Sequence, residues 1–287
     1  MELKGLSPKR RAWNSAMRLL IYLSAALTCS LLLFLIGYIF YRGLPGISWS
    51  FLSTQESVLK GTVGILPSIL NTLYVIIVTI VITLPIGVGA AIYLTEYARN
   101  RRLVATIEFA TETLSGIPSI IYAIVGVILF CNYMKLEKTL LAGSLTLVIM
   151  NLPTIIRTTQ ESLKTVPQSY REGALGLGAG KWHTIRTIVL PCSIDGIVTG
   201  CILAVGRIVG ESAVLMYTVG LSTTMQDFAS LEGLRQASGA TLTVALYVFA
   251  KERTDFQTAF AIASILLLLT MVINLTAKLA GKKLKKK

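Results

Sequence analysis

Apolar residues in this chain gather in long unbroken runs and do not alternate with polar ones. The runs cover about residues 16–41, 65–94, 114–134, 139–157, 192–219 and 256–280. Each is close to or above the roughly 20 residues a helix needs to cross the hydrocarbon layer of a bilayer. In that layer no water is present to satisfy backbone N–H and C=O groups, so a spanning segment of this kind must be helical. The pattern predicts an all-α polytopic membrane protein with six transmembrane helices.

The basic residues set the orientation. Lys4, Lys9, Arg10, Arg11 and Arg18 precede the first run, and Arg99, Arg101 and Arg102 follow the second. Arg157, Lys164, Arg171, Lys181 and Arg186 follow the fourth, and Lys278, Lys282, Lys283, Lys285, Lys286 and Lys287 close the sixth. The opposite connections hold only Arg42, Lys60, Lys135, Lys138, Arg235, Lys251 and Arg253, a split of 19 against 7 with Arg207 inside a run. Basic loops stay on the cytoplasmic side, so both termini and the 158–191 connection are expected to be cytoplasmic. The Lys-rich stretch at 282–287 reads as an anchor against anionic lipid.

Composition agrees. The chain has 287 residues, of which 54% are apolar and 14% charged, against about 25% charged in a soluble domain. The net charge of +13 is the charge of membrane-flanking loops, not the footprint of a nucleic-acid binder. The first run is too long for the roughly 7–15-residue core of a signal peptide, and no small-x-small site closes it, so it is expected to remain as the first span. Cys29, Cys131, Cys192 and Cys201 lie in or beside apolar runs without metal-ligand spacing, and the lone His183 sits in a polar loop. They imply no disulfide framework, no metal and no cofactor.

Pro67, Pro85, Pro118, Pro153 and Pro191 lie in or at the ends of spans, where they kink a helix or free carbonyls along a pathway. The connection 220–255 is moderately apolar, and Leu242 to Ala250 is expected to form a short helix on the outer surface. Gly196 and Gly200, and again Gly206 and Gly210, stand four apart, a spacing that suits close helix contact.

Two segments carry chemistry. The first is Glu172-Gly173-Ala174-Leu175-Gly176-Leu177-Gly178, followed after nine residues by Ile188-Val189-Leu190-Pro191. Val166-Pro167 suits a helix start, giving one short helix over 169–175 and, past the glycines, a second over 181–189. Gly178-Ala179-Gly180-Lys181-Trp182 is not a phosphate loop, because Leu175 and Trp182 stand where that motif needs Gly and Ser or Thr. No nucleotide site is encoded. The second segment is Arg207-Ile208-Val209-Gly210-Glu211-Ser212, midway along the fifth run. A centred charge costs about 2.5–3.5 kcal/mol on insertion scales and usually faces a bundle interior or a pathway. Arg207 and Glu211 are four apart and are expected on one helix face. They make either a structural salt bridge or an anion contact. An Arg fork fits phosphate oxygens, and a neighbouring carboxylate accepts a hydrogen bond from protonated phosphate but repels sulfate.

The first segment resembles the cytoplasmic EAA loop of ABC-importer permeases, with Gly173 in place of the usual first alanine. Together with Ser115-Gly116-Ile117-Pro118-Ser119-Ile120-Ile121-Tyr122, Tyr170-Arg171-Glu172 and Arg207-x-x-Gly210-Glu211-Ser212-Ala213, it makes residues 65–280 resemble the PstA-type phosphate-importer permease. The resemblance implies a type I, MetI-like permease fold. An N-terminal segment (1–64) precedes a permease domain (65–280), whose coupling loop is 161–191, and a tail (281–287) follows it. It implies a transport subunit and not an enzyme. The partners it implies are a PstC-type second permease, two PstB-type ATPase subunits and a PstS-type extracytoplasmic phosphate-binding protein in a bacterial or archaeal inner membrane. It assigns Tyr170, Arg171, Glu172, Gly173, Ala174, Gly178, Leu190 and Pro191 to ATPase coupling, and Arg207, Glu211 and Ser212 to the pathway. ATP would close the ATPase pair, pull the loops together and rock the spans between openings. Permeases for molybdate or sulfate share the fold. An ion-driven carrier would leave the loop unexplained, and a membrane enzyme would need convergent groups that His183 alone does not supply.

Overall fold

The computed structural model describes residues 8–57, 62–223 and 231–285; Lys4, Lys60, Lys286 and Lys287 of the charge split lie outside these. Its helices are, in order, α1 Pro8–Gly43, α2 Trp49–Ser53, α3 Leu66–Ile92, α4 Arg101–Ser115, α5 Ser119–Gly126, α6 Leu140–Thr165 and α7 Gln168–Gly176. There follow α8 Lys181–Thr184, α9 Leu190–Gly210, α10 Ala213–Thr218, α11 Leu231–Gln236, α12 Leu242–Tyr247 and α13 Phe256–Lys285. A hairpin of β1 (Gln55–Ser57) and β2 (Thr62–Ile65), paired antiparallel, sits before α3.

Among the described residues, five helical stretches are long and apolar enough to cross a membrane: Ala12–Gly46, Leu66–Tyr97, Leu140–Thr165, Lys181–Gly210 and Phe256–Lys283. The sixth crossing differs from the straight span expected over 114–134. Its first residues belong to α4, and the chain bends by 98° between α4 and the helical stretch Ser119–Tyr133. The cause is local. Pro118 holds an extended backbone (φ −56°, ψ 139°), and a residue before proline is disfavoured in helical geometry. The α4 helix is polar on one side, where Glu108 and Glu112 reach Lys164 and Arg157 of α6 at 3.0 and 3.1 Å. These pairs are exposed and contribute little individually.

The core lies where α3, α5, α6, α9 and α10 meet, around Val75, Tyr122, Leu147, Met150, Ile208 and Leu215. Lipid supplies no hydrophobic drive between helices, so close packing of small residues does that work. A Cβ added at Gly196 would collide with Ser162 of α6, and one at Gly200 with Thr158. Alongside, the Ser162 hydroxyl donates to the Ser193 carbonyl at 2.8 Å. This glycine pair packs as its spacing predicts. The pair Gly206 and Gly210 does not: no atom of this chain lies within 4 Å of a Cβ built at either.

The outer connection also departs from expectation. The α12 helix is not on the surface. Ala237, Ala240, Leu242, Val244 and Ala245 are all buried, and the extended stretch before α12 enters the bundle. Backbone at that depth needs partners, and α3 supplies them. Asn71 Nδ2 donates to the Ala240 carbonyl at 3.1 Å, and Thr72 Oγ1 accepts from the Leu242 N–H at 2.9 Å. Beyond α12, Asp255 caps α13: its carboxylate accepts from the Thr258 N–H at 3.1 Å and from the Thr258 hydroxyl at 2.6 Å. The hydroxyl hydrogen bond is the largest cause holding this carboxyl below its usual range, backbone N–H groups and Arg253 adding to it.

The first helix stands apart. It meets the bundle at its outer end, where Gly43 abuts Phe260 and Ser264 of α13. There Ser264 Oγ donates to the Ile39 carbonyl at 3.1 Å, and Tyr38 packs edge-on to Phe260 at 5.6 Å. Along the rest of α1, Leu19, Leu23, Leu27, Leu31 and Phe34 are exposed.

Candidate functional site

The loop between α6 and α9 gathers at one end of the bundle. Pro167 stands just ahead of α7 in extended geometry (φ −56°, ψ 138°), which suits a helix entry. Gly178 ends the segment at φ +83°, a left-handed conformation that only glycine adopts cheaply. Around it the Ala179 N–H donates to the Ala174 carbonyl and the Gly178 N–H to the Leu175 carbonyl, both at 3.0 Å. This is the paired bonding of a Schellman stop. The second short helix expected over 181–189 is no separate unit. α8 continues through a wide turn, Ile185–Val189, into α9, so the loop's second half is the head of the fifth span. Pro191 explains the wide turn. A proline in a helix lacks an N–H and its ring clashes with the carbonyl four residues back, and a π-type turn just before it opens the spacing.

The eight residues assigned to coupling divide by direction. Tyr170, Glu172, Gly173, Gly178 and Pro191 are exposed, and Glu172 has no hydrogen bond or ion pair among the described residues. Beside them Leu175, Trp182 and Leu177, the last 92% exposed, extend an apolar rim. Ala174 is buried, Leu190 packs against the Ala91, Ile92, Leu163, Ile185 and Val189 cluster, and Arg171 turns inward. The Arg171 guanidinium donates to Glu96 Oε1 from Nε at 3.0 Å and from Nη2 at 2.8 Å. It also donates to the Val166 carbonyl at 2.7 Å and the Leu163 carbonyl at 2.9 Å. The two side chains are 13% and 9% exposed. Sequence reasoning missed Glu96, although a carboxylate within the first polar residues after the second apolar run was a readable signal.

The second group lies at a helix break. Arg207 and Glu211 were expected midway along one continuous helix and on one face of it. Instead α9 stops at Gly210, and Glu211 is extended (φ −81°, ψ 114°). Its Oε1 accepts from the Val214 N–H at 3.2 Å, so the carboxylate caps α10, where it also opposes the positive end of the helix dipole. Arg207 therefore sits in the last turn of α9. Among the described residues it makes no hydrogen bond and no ion pair, with Glu211 or any other residue. Arg207, Glu211 and Ser212 are all partly buried. Arg207 shares the open side of α9 with exposed Leu203, Gly206 and Gly210. The break is braced from behind: the Thr243 hydroxyl donates to the Val209 carbonyl, and Ser238 Oγ donates to the Val219 carbonyl at 2.7 Å. Asn71, Thr72 and Thr243, which hold this arrangement, were also missed; two polar residues inside the 65–94 run were the available sign.

The chain belongs to the family of binding-protein-dependent transport system inner membrane components, whose family model matches residues 83–286. It is 33% identical over 275 residues to the probable ABC transporter permease protein YqgI of Bacillus subtilis, with 92% of this chain and 94% of that one covered. It is 31% identical over 285 residues to the phosphate transport system permease protein PstA of Yersinia pestis, with 96% and 94% covered. Among solved structures, a chain of the bacterial alginate ABC transporter in complex with its alginate-loaded periplasmic protein superposes with a TM-score of 0.66 at 15% identity, covering 97% of each chain. A chain of the MetNI methionine transporter gives 0.61 at 17%, covering 76% of this chain and 95% of that one. At such identities the superpositions show the fold. The chain is thus a multi-pass inner-membrane permease subunit of an ABC importer, a transport component whose ATPase is a separate partner.

Proposed function

We propose that this permease carries inorganic phosphate inward, working with a PstC-type second permease, two PstB-type ATPase subunits and a PstS-type phosphate-binding protein. The observation that carries this reading is Arg207, a partly buried guanidinium at a helix break, on an open face and with no hydrogen bond or ion pair among the described residues. A fixed planar fork of that kind suits the oxygens of a tetrahedral anion. Glu211, four residues on and held by α10, faces the same break. It accepts a hydrogen bond from a phosphate that keeps a proton at neutral pH, and it repels sulfate, which keeps none. The phosphate permease named above and the Arg207-x-x-Gly210-Glu211-Ser212 segment support the anion. On the cytoplasmic side, Tyr170, Glu172, Gly173, Gly178 and Pro191 form the exposed face on which the ATPase docks, with Ala174 and Leu190 shaping it from behind.

The test is uptake of labelled phosphate by cells expressing the full set of partners, with excess unlabelled sulfate or molybdate. ATP-dependent uptake that ignores both competitors supports phosphate, and uptake blocked by either one replaces the anion. Equal effects of Glu211→Gln on phosphate and sulfate passage sink the protonation argument.

A further inference from the structure

The loop that faces the ATPase is joined by the chain itself to only two spans, α6 and α9. Its tie to α3 is not covalent. One face of that tie is apolar, through Ala91 and Ile92 against Leu163, Ile185 and Val189. The Lys181 ammonium adds a cation–π contact, 5.0 Å from the centre of the Tyr97 ring, and among the described residues the hydrogen-bonded part is Arg171. Its guanidinium holds Glu96 at the end of the α3 span through two hydrogen bonds, and the carbonyls of Leu163 and Val166 at the end of α6 through two more.

We propose that the Arg171–Glu96 pair is the strut that couples displacement of the ATPase-facing loop to movement of α3, rather than a contact with the ATPase. The proposal rests on the reading that this loop docks the ATPase. Three observations carry it. Arg171 points away from the exposed face that holds Tyr170 and Glu172. Both partners are nearly closed off from solvent, so the pair is screened little and breaking it leaves an uncompensated charge. And the same guanidinium grips two different spans, so a push on α7 reaches both at once. A two-pronged Arg fork resists shear in a way that a Lys point charge does not. By contrast, the Glu108–Lys164 and Glu112–Arg157 pairs are exposed at the same end of the bundle and serve as internal controls.

The experiment compares the native chain with Glu96→Gln, Arg171→Lys and the control Lys164→Ala, each reconstituted in liposomes with its second permease, ATPase and binding protein. Three readouts are taken: ATPase retained in the purified complex, ATP hydrolysis, and labelled phosphate moved per ATP. With Glu96→Gln, whose amide keeps the shape, the ATPase should remain bound and hydrolysis should stay within about twofold, while phosphate per ATP falls about five- to tenfold, the range of coupling through a packed network. Arg171→Lys should fall between native and Glu96→Gln, and Lys164→Ala should match native. Loss of bound ATPase from Glu96→Gln, or uptake and hydrolysis falling in equal proportion, overturns the strut, since the pair would then be dock or scaffold. A native complex that hydrolyses ATP but moves no phosphate refutes the anion alone. In that case the ATP-driven change in distance between spin labels at exposed Val81 of α3 and Leu203 of α9 decides: the strut requires Glu96→Gln to shrink it.

Discussion

The two ends of α9 carry the same sequence device and use it differently. Gly196-x-x-x-Gly200 lies against Ser162 and Thr158 of α6 with no room for a side chain, whereas Gly206-x-x-x-Gly210 faces open space. Spacing alone does not separate a glycine pair that seals a bundle from one that keeps a face clear. Composition does not separate them either: the charged Asp195 adjoins the sealed pair and Arg207 lies within the open one. Small residues in a membrane helix thus have two meanings, and what packs against them decides between the two.

Substitutions sharpen or break this contrast. The largest effect is expected on the open face from Arg207→Gln. Losing a charge-assisted contact to an anion costs about 1.5–3 kcal/mol, so ATP-driven uptake should fall about 10–100-fold while the detergent-solubilised subunit keeps its melting temperature. Normal uptake would reduce Arg207 to a structural residue. Next is Gly200→Leu on the sealed face. Overpacking costs about 1–3 kcal/mol, read as a lower melting temperature and weaker recovery of folded protein. A smaller effect, away from both faces, calibrates the measurement. Asp255→Asn weakens the α13 cap by a few tenths to about 1 kcal/mol. Because the folded carboxyl is held below its usual range, its contribution is present above the unfolded value of about 3.9 and is lost as pH falls through the lower folded value. The melting difference between native and Asp255→Asn should therefore be flat from about pH 5 to 8 and close only below about pH 4. The smallest change in stability is expected from Gly206→Leu, within about 0.5 kcal/mol. A melting shift as large as that of Gly200→Leu would erase the contrast between the two pairs.

How much of this the sequence displayed depends on which force set each feature. Five spans are direct consequences of apolar length, and their positions agree with the runs to within a turn or two, apart from the fifth, whose helix starts earlier at Lys181 and stops at Gly210. The two departures arise where one residue's backbone preference outweighs hydropathy. Pro118 bends the third crossing although its flanks are apolar, and Glu211 breaks the fifth because its carboxylate finds the Val214 N–H nearby instead of an arginine. A hydropathy window averages both away. The buried position of α12 depends on Asn71 and Thr72, about 170 residues earlier in the chain, a pairing with no local signature. The loop was legible as a motif, and Gly178 behaves as its position in that motif implies. The inward direction of Arg171 was not, because its partner, Glu96, belongs to another span.

The contact between α1 and α13 has a consequence for how the protein is made. These helices meet at Gly43, Phe260 and Ser264, yet α13 starts about 210 residues after α1 ends, which at roughly 5–20 residues per second is a delay on the order of ten to forty seconds. Through that interval the first helix sits in the bilayer with its docking site not yet synthesised. Translation itself therefore orders assembly, and a ribosome stalled before Phe256 leaves a chain with one loose helix for membrane quality control to recognise.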